Sequence, residues 1–331
     1  MLYYYALLYY NINLKQINTM KKIHLISTLI GLLAFSTISK ADLKVVTSIK
    51  PIHSLSSYIM DGVGSPGLIV DGYNSPHSFQ LKPSHAKMLE QADIIFWIGE
   101  DLENFLEKPL ATIAKKAEKI ELLEIKDIKK LKFRERNIFE EHEGHDDHGH
   151  DAKKEEHDDH EGHGHGEYDP HIWLDPINAK VILNEITEHL IENDSKNAST
   201  YKSNLAKALA KIDKLIIDVI TETNTDLSYV VFHDAYQYYE NRFNVNILGA
   251  MTVNPDVMPG AEQIHEIHEI IEHDNVSCIL SEPQFNPDII KSIAKDTNVK
   301  TGVLDPLGAN LKPGKDLYFD LIRNMSASFN C

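Results

Sequence analysis

Cysteine is nearly missing from this chain of 331 residues: there are two, Cys278 and Cys331, so at most one bridge can form. Long apolar runs are missing too. The mostly apolar stretch Ile23 to Phe35 has 13 residues, too short to cross a bilayer as a helix. Positive charge is scarce, with 33 Lys and Arg against 50 Asp and Glu and a net charge of −17, which argues against nucleic acid as a partner. No His-Glu-x-x-His motif is present. His265-Glu266 is followed by His268 one place too early, so this helix is read as solvent-facing and not as that of a zinc protease.

The short apolar run has a different reading. It follows Met20-Lys-Lys and precedes Ser39-Lys-Ala41, the order of a secretory signal peptide cleaved after Ala41. Met1 to Thr19 is then an extension upstream of the start. No cysteine stands beside Ala41, so lipid anchoring of the new N-terminus is excluded, and Asp42 to Cys331 is expected to be exported. In an oxidising compartment Cys278, in the apolar run Val276 to Leu280, is expected to pair with Cys331 and tie down the C-terminus. The alternative is one buried and one exposed thiol.

What the chain has in excess is histidine and acid, concentrated in one place. From Glu140 to Asp169 there are 13 acids and 2 lysines. Eight histidines lie among them: His142, His145, His148, His150, His157, His160, His163 and His165. This composition cannot build a packed core, so a disordered loop is expected over 140–166. Imidazole and carboxylate both bind zinc, and the tract is expected to hold several ions weakly.

Directly behind it stands Asp169-Pro-His-Ile-Trp-Leu-Asp-Pro176. Two prolines restrict the backbone around His171. His77 in Ser75-Pro-His-Ser-Phe-Gln-Leu-Lys-Pro83, and His233 in Val230-Val-Phe-His-Asp-Ala-Tyr236, have similarly constrained settings far apart in the chain. Three histidines from separate loops or strand ends suit a zinc site, since imidazole donors favour zinc over manganese or magnesium. A lone histidine is usually structural, and His53 and His189 are read that way.

Strand and helix patterns alternate on both sides of the tract, which gives an α/β fold with parallel-type sheets. An amphipathic run from about Ala198 to Thr223 contains no Gly or Pro and reads as a long stiff helix. The expected division is 1–41 leader, 42–197 first lobe, 198–225 linking helix and 226–331 second lobe.

The motifs from Ser75 to Ser84, the histidine tract, Asp169 to Leu174, Phe232 to Tyr236, Thr252 to Asp256, Pro259-Gly260, Glu282 to Phe285 and Leu304 to Gly308, in this order, resemble the zinc-binding solute-binding proteins of bacterial zinc ABC importers, the ZnuA type. The resemblance implies two α/β lobes joined by a rigid helix, with Zn2+ held between them by His77, His171 and His233. It implies a periplasmic, monomeric protein whose partners are a membrane permease and a periplasmic metallochaperone. Asp305 matches a position that supplies a carboxylate in related manganese and zinc binders; Glu282 or water are the alternatives for the fourth ligand. Cys278 and Cys331 correspond to the family's cysteine pair. Ala250 stands where some relatives carry a histidine linked to a second metal site. The rival functions are a zinc-dependent hydrolase, with Asp234 or Glu282 as its base, and a metal-binding adhesin.

Overall fold

The structure, a computed structural model, describes residues 42–134, 136–139, 166–255 and 257–331. The leader and the eight tract histidines lie outside the described residues. Residues from Leu43 to Cys331 form one compact unit.

Two sheets of four parallel strands make up the frame. In the first, β1 (Val45–Ile49), β2 (Gly67–Val70), β3 (Ile94–Trp97) and β4 (Glu118–Glu121) stand in the order β2-β1-β3-β4. In the second, β5 (Ser228–His233), β6 (Asn246–Thr252), β7 (Cys278–Ser281) and β8 (Lys300–Val303) stand in the order β6-β5-β7-β8. The two orders are the same permutation. The crossovers are α1 (Lys50–Ile59), α2 (Pro83–Gln91) and α3 (Glu100–Thr112) in the first lobe. In the second they are α6 (Gln237–Phe243), α7 (Ala261–His273) and α8 (Asp288–Thr297). Each lobe is thus a β-α-β-α-β-α-β unit, an internal repeat.

Local chemistry sets these elements. The central strands β1 and β5 read VVTSI and SYVVFH and are buried throughout, as a strand covered on both faces requires. Proline opens α1, α2 and α4 (Pro176–Asn193), where its missing N–H costs nothing. The Asp175 side chain caps α4 by accepting from the Ile177 amide at 2.8 Å.

Between the lobes runs α5 (Ala198–Glu222). Its 25 residues span about 37 Å. It packs against α1, α4 and the C-terminal helix α9 (Leu317–Ser328), and α9 also packs on α1. The helix after the second sheet therefore reaches back onto the first lobe. Segment 136–139 does the converse: it lies antiparallel on the free edge of β6, with Ala250 N donating to Asn137 O and Phe139 N to Leu248 O. Gly249 permits this approach, because a Cβ there would stand 2.7 Å from the Asn137 carbonyl oxygen.

Two elements go beyond the sequence reading. In β4 three of the four residues are charged and only Ile120 is buried, so no strand pattern marks it in the sequence. Helix α9 buries an apolar face at Leu317, Leu321, Ile322 and Met325 and lies beyond the last motif of the sequence reading.

Candidate metal centre

In a doubly wound sheet, ligands bind beyond the carboxyl ends of the strands, where neighbouring crossovers leave in opposite directions. In the second lobe that crevice lies between β5 and β7. His233 is the last residue of β5, and Glu282 directly follows β7. His77 comes from the loop after β2, behind Pro76, with its amide donating to Ser75 Oγ at 3.2 Å. His171 follows Pro170 and opens the 3-10 turn Ile172–Leu174, which runs into the cap of α4.

The three imidazoles converge. Their ring centres are 5.6, 5.7 and 5.2 Å apart for the pairs His77–His171, His77–His233 and His171–His233. One ligand atom from each lies within 4.8 Å of the others. Nε2 of His171 and Nε2 of His233 are 3.3 Å apart. Two nitrogens on one tetrahedral zinc, bound at about 2.0–2.1 Å, stand about 3.3–3.4 Å from each other. His171 and His233 are buried, and His77 is half-buried.

Carboxylates behind two of the rings set their orientation. His171 Nδ1 is 2.7 Å from Asp169 Oδ1, and His233 Nδ1 is 2.6 Å from Glu282 Oε1. A carboxylate that accepts a hydrogen bond from Nδ1–H leaves the Nε2 lone pair for metal and raises its basicity. Asp169 is fixed in turn by the His171 amide and Gln237 Nε2. Burial, with the charge of His233 beside it, holds His171 well below the usual imidazole range, so it stays neutral. Burial also pushes Asp169 up to about 7. At His233 burial disfavours the charge, but Glu282, Asp234 and Asp169 outweigh it and the net shift is upward.

The space between the rings is a cavity of about 10 Å³, lined also by Trp173, Phe285 and Pro306. That is room for about one water-sized body. Trp173 closes one wall, donating from Nε1 to Pro306 O at 2.9 Å. Lys50, buried at the start of α1, donates to the carbonyls of Ala309 and Leu311. Both contacts pin the loop after β8 to the first lobe.

The sequence profile described as zinc-uptake complex component A, periplasmic, matches residues 45–330. The chain belongs to the ZnuA family. It is 44% identical over 303 residues to the high-affinity zinc uptake system protein ZnuA of Brucella abortus, covering 86% of this chain and 90% of that one. A crystal structure of ZnuA superposes with a TM-score of 0.68 at 21% identity, over 87% of this chain and all (100%) of that chain. A mutant of the laminin-binding adhesin of Streptococcus agalactiae gives 0.69 at 22%, covering 87% and 98%. These last two likenesses are of fold.

Of the residues singled out from sequence, the fold brings His77, His171 and His233 together and leaves Asp305 outside their cluster. Asp305 Oδ1 accepts from the amides of Leu307 and Gly308 and from Gln284 Nε2, while Oδ2 accepts from the amide of Ala309 at 2.6 Å. It organises the loop that Trp173 and Lys50 grip. Cys278 and Cys331 are joined as a disulfide. Ala250 is buried in β6, against segment 136–139. His265 is exposed on α7 and pairs with Glu269 at 3.4 Å.

Three contributors were not assigned these roles from sequence. Asp169 stands two places before His171, close enough to turn back onto its ring, and that spacing is the signal. Glu282 is by sequence a candidate base or ligand, and the structure makes it the partner of His233 Nδ1. Arg134 gave no signal: it bridges Asp234 and Glu240 at 2.8 Å each and stacks on Phe139, a contact between segments 100 residues apart.

Proposed function

We propose that the chain captures zinc in the periplasm, holds one ion between its lobes through His77, His171 and His233, and delivers it to the membrane permease of a zinc ABC importer. Zinc is here the cargo. The observation that carries this reading is the convergence of three imidazoles, two of them backed by buried carboxylates. Nitrogen donors of this number favour zinc over the oxygen-seeking divalent ions. The fourth position falls to a water, because Asp305 is held by three loop amides. First-lobe ligands and a second-lobe ligand on one ion would make metal occupancy set how the lobes sit, which a permease can read.

Capture without chemistry is the better-supported reading against a hydrolase. Glu282 Oε1 faces His233 Nδ1, Asp234 Oδ1 pairs with Arg134, and Asp169 pairs with His171, so each neighbouring carboxylate has a partner other than a substrate. The cavity at the imidazoles has room for about one water-sized body. Export after cleavage at Ala41, the division into lobes at 197 and 226, and weak auxiliary binding by the tract belong to the same proposal.

The test is elemental analysis of the protein isolated from the periplasm without a metal-affinity column, with growth of a deletion strain under zinc chelation. The expected result is bound zinc in excess of other metals and a growth defect that added zinc repairs. Bound manganese, or normal growth under chelation, contradicts the proposal.

A further inference from the structure

Beside the metal cavity lies a second, outer one of about 420 Å³. The two share Ser75, Gln284 and Phe285 in their walls. The inner cavity admits an ion and little else. The outer one falls in the range of small-molecule sites, roughly 300–1,000 Å³.

Its walls are preformed. Phe285 stacks on Phe232 with ring centres 4.8 Å apart, and Phe79 packs on Phe105 at 5.1 Å. The Tyr73 hydroxyl donates to Asn310 Oδ1, tying the rim of the first lobe to the loop after β8.

Its charge is the informative part. A funnel that gathers bare cations is lined by carboxylates. This chain has 50 acids, yet among the described residues none lines the outer cavity. Among the described residues the lining holds one cation, Lys82, together with amide, hydroxyl and aromatic side chains. It is built for a polar group of negative charge, directly beside a site for a positive ion.

We propose that the outer cavity binds a small carboxylate-bearing chelator on which zinc arrives, of amino-acid or hydroxy-acid type. Its carboxylate meets Lys82, and one of its donor atoms takes the fourth position on the ion in place of water. This rests on His77, His171 and His233 binding zinc.

The test is calorimetry on the full chain, first with zinc alone and then with chelators added to the zinc-loaded protein. Absence of tight zinc binding in the first step refutes the zinc reading itself. In the second step the probes are L-histidine, citrate and histamine, which chelates like histidine but has no carboxylate. L-histidine, citrate or both should bind saturably, and which of them does so separates an amino acid from a hydroxy acid. Histidine should bind about three- to fivefold tighter than histamine, the size expected of an exposed ion pair. Lys82→Ala should remove that preference. Ser78→Trp, which fills the cavity from an exposed wall position, should abolish chelator binding while zinc alone still raises the melting temperature. Zinc on the histidine tract takes up chelator equally in all three proteins, so the differences between them carry the result. Equal histidine affinity in the parent and both variants, or chelators that strip the ion, would overturn the proposal.

Discussion

The two lobes share one strand order and one place for a site, and they fill it differently. In the second lobe the crevice between β5 and β7 holds His233 and Glu282, 2.6 Å apart. The corresponding crevice of the first lobe, between β1 and β3, holds Ser48 and Glu103. Glu103 is fully buried, and its Oε2 accepts from the amides of Ile98 and Gly99 at 2.9 and 3.0 Å. Burial pushes this carboxyl up to about 7, against the hydrogen bonds that lower it. One crevice has become half of a metal site. The other is closed by a carboxyl group, and the first lobe supplies its histidines from loops. A repeated topology fixes where a ligand can bind, and the side chains at the strand ends decide whether it does.

The cores differ in the same direction. Alternate residues of β5 enter different clusters: Tyr229 and Val231 join the large core shared by both lobes, and Val230 and Phe232 join a small one under α7 and α8. The strands of the first sheet all belong to the large core. The contacts between lobes therefore belong to the main core, and Trp173 stands among them, fully buried. Trp173→Ala is expected to cost about 5 kcal/mol through the cavity it leaves and the lost bond to Pro306. Denaturant unfolding measures this, and a loss under about 1 kcal/mol would show that the lobes do not depend on each other.

The disulfide ties β7, whose other end leads to Glu282, to the C-terminus. Its separation of 53 residues gives roughly 4 kcal/mol in the chain-entropy model. Replacing Cys278 and Cys331 by serine should lower the denaturation midpoint accordingly and leave zinc affinity in place. A changed affinity with unchanged stability would reverse this assignment.

Glu103→Gln and Glu282→Gln separate the two crevices. Glu103 holds its proton more tightly when folded than when unfolded. Its stabilising contribution is therefore full below the unfolded value near 4.5 and lost as pH rises through about 7. That window is worth roughly 3 kcal/mol at about 1.4 kcal/mol per pH unit. Glu103→Gln keeps an acceptor for the two amides and should lessen the fall of stability across this window, leaving the share that Asp169, Asp234 and Glu240 contribute, without touching metal. Glu282→Gln should instead weaken zinc about 10- to 100-fold. An unchanged pH slope in Glu103→Gln would remove the contrast. The smallest effect belongs to His265→Ala on α7, 73% exposed, which should stay within about 0.5 kcal/mol of the parent with zinc binding unaltered.

Most of the frame was legible in the sequence because parallel strands are continuous apolar runs and proline marks the helix starts. Glu-Lys-Ile-Glu at β4 was not, since an edge strand buries one residue in four. The three histidines were legible through their proline and strand-end settings. The commitment of Asp305 to the amides of Leu307, Gly308 and Ala309 was not, because one carboxylate serves equally as ligand or turn cap until its neighbours are placed. Nor was the equivalence of the two crevices: it lies in strand order, and the residues that fill the two share no motif.

The central claim is that one zinc is held jointly by the two lobes. Calorimetric titration of the first equivalent of zinc, in the parent and in His233→Ala, tests it most directly. With the second lobe's imidazole removed, the tightest binding event and its accompanying rise in melting temperature should disappear, leaving the weak events of the tract. An unchanged first event in His233→Ala would contradict the account.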